Sequence, residues 1–202
     1  MNATTKQVEF FFDFGSPTSY LAYMQLPKIA IESHAEIVWR PMLLGGVFKA
    51  TGNASPVTIP AKGRWMWDDI ALWAKRYGVT LATNPYFPIN TLTLMRGAVG
   101  LQMRQPGQFL RYVDVAFRAM WEKPCNLGDA AVLGETLQKA GFDTAAFTAL
   151  VGDPEVKAKL IANTEEAVAR GVFGAPTMFV GAQMFFGQDR LEFVREALRQ
   201  PS

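Results

Sequence analysis

The sequence has little of the residues from which metal sites and disulfides are built. Its 202 residues include one cysteine, Cys125, and one histidine, His34. A single cysteine excludes an intrachain disulfide and a cysteine-based zinc site, and a single histidine excludes a multi-histidine site. The chain also has no Walker loop and no G-x-G-x-x-G motif. We therefore expect no bound metal and no mononucleotide or dinucleotide site of those types.

Charge of one sign and long apolar runs are also scarce. The net charge of +2 is too small to favour nucleic acid or an anionic membrane surface as a partner. No apolar run approaches the roughly 18 residues of a membrane span, and the N-terminal residues lack the apolar segment of a secretory signal. With 50% hydrophobic residues the chain has enough apolar side chains for a large core. We expect a cytoplasmic folded protein without nucleic-acid or membrane partners.

Two strands around one helix open the chain. Residues 8–14 form a short aromatic run that is typical of a buried strand. Ser16 is a favourable N-cap and Pro17 a favourable first helical residue, so a helix is predicted from there to about residue 33. Residues 36–41 alternate like a second strand, and strand, helix and strand imply a right-handed parallel crossover. Residues 42–63 are rich in Gly, Pro, Ser and Thr, which predicts a long loop with one helical turn.

The middle of the chain is predicted to be helical and its end to return to strands. Helical spacing of apolar residues recurs at 64–77, 90–104, 107–122, 128–140 and 143–151. A helix from Pro154 to Gly171 follows, and then a hairpin of strands 177–180 and 183–186. Asp189 is the predicted N-cap of the last helix.

This order predicts an α/β thioredoxin-like fold with an all-helical domain inserted after the first βαβ unit. We assign residues 1–45 and 152–202 to the thioredoxin-like domain and residues 46–151 to the insertion.

The active position of a thioredoxin fold is the N-terminus of its first helix. There the helix dipole and free N–H groups stabilise a cysteine thiolate. In this chain the Cys-x-x-Cys positions hold Ser16 and Ser19, so the protein has no thiol of its own at that point. A thiol from a bound ligand could instead be activated by the Ser16 hydroxyl. The alternative is that Ser16 only caps the helix. A Ser16–His34 dyad is excluded because the two residues lie at opposite ends of one helix, about 25 Å apart.

Two features near the C-terminus also point to the helix end. A proline entering a strand at Ala175-Pro176 suggests a cis peptide that aims the Ala175 backbone at the site. An extended peptide could pair with that backbone as an added strand. Asp189 either caps a helix or holds an ammonium group.

Three segments carry a resemblance to a known family: residues 12–22 (FDFGSPTSYLA), 172–180 (VFGAPTMFV) and 186–191 (FGQDRL). Together, and with a helical insertion between them, they resemble 2-hydroxychromene-2-carboxylate isomerases. Kappa-class glutathione transferases and DsbA-type oxidoreductases are relatives of that family. The similarity extends over essentially the whole chain.

The resemblance implies glutathione as cofactor and a glutathione-dependent isomerisation of a small aromatic carboxylate to trans-o-hydroxybenzylidenepyruvate, or of a close analogue. Ser16 would be the catalytic residue. The residues that would contact glutathione are Asn53, Ala175, Phe186, Gly187, Gln188 and Asp189. Lys49 or Lys62 would meet the substrate carboxylate, and Asn84 would line the substrate pocket.

Other interpretations stay open at this point. A kappa-like glutathione transferase could use the same site, and a non-enzymatic DsbA-like peptide-binding protein could use Ser16 as a cap alone. The aromatic side chains of the insertion could cover a pocket or a dimer interface, so a homodimer also stays open.

Overall fold

The computed structural model describes residues 6–200 and contains a four-stranded sheet with strand order β2-β1-β3-β4. Strand β1 is parallel to β2 and antiparallel to β3, which pairs antiparallel with β4. The strands are β1 Lys6–Phe12, β2 Ala35–Pro41, β3 Thr177–Val180 and β4 Gln183–Phe186. Helix α1, Pro17–Glu32, connects β1 to β2. The parallel pairing predicted for β1 and β2 and the predicted hairpin are confirmed.

Strand β1 is the strand from which the core extends to both faces of the sheet. Successive side chains of a strand point to opposite faces. Phe10 and Phe12 belong to the larger buried cluster, and their rings stack with centroids 5.3 Å apart. Phe11 belongs to a smaller cluster on the other face, where it packs edge-on against Phe179. Because both faces are covered, β1 has a continuous aromatic run rather than an alternating pattern.

Helices fill the chain between β2 and the hairpin. They are α2 Leu44–Thr51, α3 Pro60–Tyr77, α4 Leu92–Arg104, α5 Pro106–Trp121, α6 Ala130–Lys139, α7 Thr144–Gly152 and α8 Pro154–Ala169. Buried side chains of α3 to α8 join those of β1 and α1 in the larger cluster, in which Phe117 of α5 contacts Phe12 and Tyr20. No helix within residues 6–200 is both long enough and apolar enough to span a bilayer.

The prediction of a long loop over residues 42–63 is wrong. The segment contains α2 and a short 3-10 turn, Pro56–Thr58. Two glycines weaken the helical propensity of α2, but tertiary packing outweighs it, because Val47 is fully buried in the cluster with Phe11. Gly46 also allows α2 to lie close to α8, since a Cβ atom there would be 3.0 Å from the Thr164 methyl group.

The predicted cap of the last helix is also wrong. A 3-10 turn, Gln188–Arg190, precedes helix α9, Leu191–Arg199, and Asp189 lies within that turn. Its carboxylate pairs with the Arg190 guanidinium at 3.0 Å instead of capping α9. Gly187 introduces the turn with a φ of 103°, which a side chain would disfavour.

Candidate active site

A cavity of about 700 Å³ opens at the N-terminus of α1. This volume lies within the range of small-molecule binding sites. Its wall includes the end of β1, the first turns of α1 and α2, the loop before α4, and the segment before β3. Ser16, Asn53, Ala175 and Phe186 all line it. Residues that are distant in sequence therefore meet at the end of α1 that the sequence indicates.

Ser16 is the N-cap of α1 and is only 4% exposed. Its Oγ accepts a hydrogen bond from the Ser19 N–H at 3.0 Å and lies 2.9 Å from the carbonyl oxygen of Ala175. The Thr18 hydroxyl is 2.9 Å from Ser16 Oγ and 3.2 Å from the same carbonyl. The Ala175–Pro176 peptide is cis, as predicted. Hydrogen bonds thus join the first turn of α1 directly to the cis-proline segment.

The two hydroxyl groups have two protons for one carbonyl acceptor. If Thr18 donates to the Ala175 oxygen, the Ser16 proton is free to point at a ligand in the cavity, while Ser16 Oγ still accepts from Ser19. The same helix end adds the positive end of its dipole. This arrangement can stabilise an anion, such as a thiolate, placed beside Ser16.

Asp13 lines the cavity, and its side chain is fully buried. Its carboxylate accepts hydrogen bonds from the Gly15 N–H at 2.8 Å, the Leu44 N–H at 2.8 Å and the Thr91 hydroxyl at 3.0 Å. Burial raises the pKa of this carboxyl, and the three hydrogen bonds act in the opposite direction. One side chain therefore fixes the positions of the loop before α1, the start of α2 and the loop before α4.

The remaining wall is apolar and aromatic. Four phenylalanine rings line the cavity, and the rings of Phe173 and Phe186 lie 4.5 Å apart. Among residues 6–200, no lysine, arginine or histidine lines it, and Asp13 is its one ionisable side chain. The same part of the chain contains no group of three or more metal-ligating side chains. The cavity suits an aromatic ligand beside an activated anion. The four rings are Phe48, Phe87, Phe173 and Phe186.

Comparison with known families agrees with this geometry. The family model of the DSBA-like thioredoxin domain matches residues 7–199, almost the whole chain. The chain belongs to the DSBA-like thioredoxin family. The predicted fold class and family relationship are confirmed.

Within this family, the relatives include named enzymes. The chain is 33% identical to a 2-hydroxychromene-2-carboxylate isomerase of Sphingobium xenophagum, over 96% of this chain and 98% of that protein. It is 27% identical to glutathione S-transferase kappa 1 of Rattus norvegicus, over 96% of this chain and 91% of the relative. A solved structure of 2-hydroxychromene-2-carboxylate isomerase superposes with a TM-score of 0.81 at 30% identity and covers 95% of this chain and 94% of its own.

In this DSBA-like chain, the predicted glutathione contacts fall into two groups, those that line the cavity and those that follow Phe186 in the sequence without lining it. Asn53 lines the cavity, and its side-chain amide donates to the Phe173 carbonyl at 2.8 Å. Ala175 and Phe186 also line it. Gly187, Gln188 and Asp189 follow directly, and the Gly187 N–H donates to the Pro176 carbonyl at 3.0 Å. Gln188 is buried and its carbonyl accepts from the Tyr77 hydroxyl at 2.6 Å.

The predicted substrate contacts do not meet Ser16 at this cavity. Lys49 points into a second cavity, on the other side of α2. Lys62, in the first turn of α3, does not line the first cavity either. Asn84 is 2% exposed, and its amide donates to the Met120 carbonyl at 3.1 Å. A buried amide that is already hydrogen-bonded holds a loop in place, so its position does not suit substrate binding.

Sequence reasoning missed two groups of site residues. Thr18 stands between the two serines of the motif, and its hydroxyl could have been noted as a partner for Ser16. Phe48 and Phe87 left no comparable signal, because they lie outside the three motif segments. Phe173 stands in the segment 172–180, but its place in the cavity depends on tertiary structure. Asp13 stands in the same motif, but its contacts with Leu44 and Thr91 depend on tertiary structure.

Proposed function

We propose that this protein is a glutathione-dependent isomerase that converts 2-hydroxychromene-2-carboxylate, or a close analogue, to trans-o-hydroxybenzylidenepyruvate. The observation that carries the proposal is the Ser16 hydroxyl, which stands at the N-terminus of α1, in place of a cysteine, on the wall of an aromatic cavity. The named isomerases at 31–33% identity support the choice of reaction.

The residues around Ser16 fit glutathione as the source of the thiol. When bound, glutathione would supply a thiolate that adds reversibly to an unsaturated carbon of the substrate and is regenerated. The Ser16 hydroxyl would donate a hydrogen bond to the sulfur, while the Thr18 hydroxyl donates to the Ala175 carbonyl. The Ala175 backbone would pair with the cysteinyl part, and Asn53 and the segment from Phe186 to Gln188 would contact the rest.

Asp189 would hold the γ-glutamyl ammonium group. Its side chain is about one-third exposed and, within residues 6–200, forms an ion pair with Arg190 alone, which is itself half-exposed. A surface pair of this kind is weak and can exchange partners at little cost.

The substrate would lie against the phenylalanine rings of the same cavity. These rings would position an aromatic ligand by offset or edge contacts beside Ser16. Because no cationic side chain of the described residues lines this wall, the substrate carboxylate would be stabilised by the positive end of α1. Lys49, Lys62 and Asn84 have no part in this proposal. The cytoplasmic location and the homodimer remain predictions from the sequence.

A turnover assay tests the proposal. Purified protein would be given 2-hydroxychromene-2-carboxylate with and without reduced glutathione, and the product would be followed by absorbance and identified by chromatography. We expect conversion only with glutathione, and full recovery of free glutathione at the end.

The kappa-class relatives define the second candidate, a glutathione transferase that uses the same site. A stable conjugate with loss of free thiol would support that function and reject the isomerase. No conversion and no glutathione binding would reject both enzymes and leave a peptide-binding module.

A further inference from the structure

A second cavity of about 560 Å³ lies between α2, α4 and α8. It is separate from the Ser16 cavity, with α2 as the partition between them. Leu44, Gly45 and Phe48 face the first cavity, whereas Gly46, Lys49 and Ala50 face the second. Leu43 lines both. The proposed isomerase reaction uses none of the residues that belong to the second cavity alone.

Three cationic side chains and one carboxylate line this second cavity. They are Lys49 of α2, Arg96 of α4, and Lys157 and Glu165 of α8. Since the cations come from three different helices, they converge only in the folded protein. The cavity therefore has an excess of positive charge, in contrast to the Ser16 cavity.

These cations have no anionic partner among the described residues. In residues 6–200, no carboxylate lies within 4.0 Å of the charged nitrogens of Lys49, Arg96 or Lys157. The Nε atom of Arg96 is buried and has no hydrogen-bond acceptor. A buried guanidinium N–H without an acceptor is unfavourable, and a carboxylate is the acceptor that its geometry suits best.

The other walls of this cavity are aliphatic. Apart from the charged side chains and Thr164, they consist of leucine, isoleucine, valine, alanine and glycine, without an aromatic ring. The Ser16 cavity, in contrast, is lined by four phenylalanine rings. Aliphatic walls next to unpaired cations match an alkyl chain that ends in a carboxylate. The larger aliphatic side chains are Leu43, Leu92, Leu160, Ile161 and Val168.

We propose that the second cavity binds an aliphatic carboxylate, with the head group at Arg96 and Lys157 and the alkyl chain along α8. Lys49 adds a third positive charge at the α2 side.

Calorimetric titration with sodium octanoate tests the proposal, with octan-1-ol and octylamine as neutral and cationic ligands of equal chain length. We expect octanoate to bind one to one, and to bind at least tenfold more tightly than octan-1-ol, with an affinity that falls as salt is added. Octylamine should not bind.

Variants locate the site. Arg96→Gln and Lys157→Gln should each weaken octanoate binding at least fivefold. Lys159→Gln replaces an exposed cation of α8 that lines neither cavity, and it should change the affinity for octanoate less than twofold. Gly45→Trp places a large side chain toward the first cavity, where a Cβ atom meets nothing within 4 Å, and should leave octanoate binding intact.

Three results would overturn the proposal. These are equal affinity for octanoate and octan-1-ol, loss of octanoate binding in Gly45→Trp but not in Lys157→Gln, and no saturable octanoate binding. Because Lys157 is a partly exposed surface residue, its variant should fold even if Arg96→Gln does not.

Discussion

Ser16 and Ser19 show how differently two serines on one helical turn can act. Ser16 Oγ accepts from a backbone N–H and lies against the Ala175 carbonyl at the cavity wall. Ser19 is fully buried, and its Oγ has no hydrogen-bond partner. A buried hydroxyl without a partner costs free energy, whereas a capping hydroxyl stabilises the helix. The two positions therefore form a matched pair for testing the role of Ser16.

Ser16→Ala should lower isomerase turnover about tenfold to a hundredfold, because a hydrogen bond to an anion is lost. It should also lower the free energy of unfolding by about 1 kcal/mol through loss of the cap. Ser19→Ala should keep turnover within about twofold and leave the unfolding free energy unchanged or raised by up to about 1 kcal/mol. Steady-state kinetics measure the turnover of the two variants, and denaturant unfolding measures their free energies of unfolding. Equal turnover in the two variants would contradict a role for Ser16 beyond capping.

At the scale of elements, an ion-pair network joins strands β1 and β2 to the end of α8. Glu9 on β1 accepts from Arg40 on β2 at 2.8 Å and from Arg170, just after α8, at 2.7 Å. The Arg170 guanidinium also stacks over the Phe179 ring, 3.9 Å from its centroid. Hydrogen bonds from Arg170 lower the pKa of the Glu9 carboxyl, more than partial burial raises it, and Arg40 lowers it further.

Because this pKa is lowered on folding, Glu9 stabilises the protein above pH 4.5, the usual pKa of the group, and loses that contribution as the pH falls. Glu9→Gln should reduce the unfolding free energy at pH 7 by about 1 kcal/mol and make its decline below pH 4.5 shallower. Glu36→Gln, which replaces an exposed carboxylate on β2, is the control. It should change neither the unfolding free energy at pH 7 nor its decline below pH 4.5. Chemical denaturation from pH 3 to 7 measures this. Parallel pH curves for the wild type and Glu9→Gln would contradict it.

Glycines set the distance between helices of the middle segment. A Cβ atom at Gly97 of α4 would be 2.5 Å from the Phe147 ring and 2.6 Å from the Tyr112 hydroxyl. A Cβ atom at Gly134 of α6 would meet nothing within 4 Å. Gly97→Ala should therefore destabilise the protein by about 1–3 kcal/mol, whereas Gly134→Ala should stabilise it by up to about 1 kcal/mol. Thermal unfolding of both variants measures the difference, and equal shifts would contradict the close packing of α4.

The elements that sequence predicts well are those with strong local signals. Ser16-Pro17 and Asp153-Pro154 begin helices where expected, and the hairpin strands have their predicted bounds. Helix α2 was missed because Val47 is held by tertiary contacts that outweigh two glycines. Asp189 has the spacing of a cap, but the 3-10 turn after Gly187 moves the N-cap of α9 one residue onward, to Arg190.

At the scale of the whole molecule, one core crosses the boundary that we drew between the thioredoxin-like part and the insertion. Phe10 and Phe12 of the sheet share a buried cluster with Phe117 and Met120 of α5. Parts that share a core unfold together. We expect one thermal transition with equal calorimetric and van't Hoff enthalpies. Two separate transitions would indicate that the insertion unfolds independently.

The candidate site was predictable where one motif defines it and not where several segments meet. The absence of cysteine at Ser16 and Ser19 identified the helix end and the need for an outside thiol. The side of α2 on which Lys49 lies depends on how that helix packs between α4 and α8, which no local pattern contains.

The thiol pKa of bound glutathione tests the central claim most directly. Ultraviolet absorbance of the thiolate would be titrated against pH for free glutathione and for glutathione with saturating wild-type protein or Ser16→Ala. We expect the wild-type complex to lower the thiol pKa by about one unit or more, and Ser16→Ala to restore much of that difference. An identical pKa for free and bound glutathione, or for both proteins, would contradict thiol activation by Ser16.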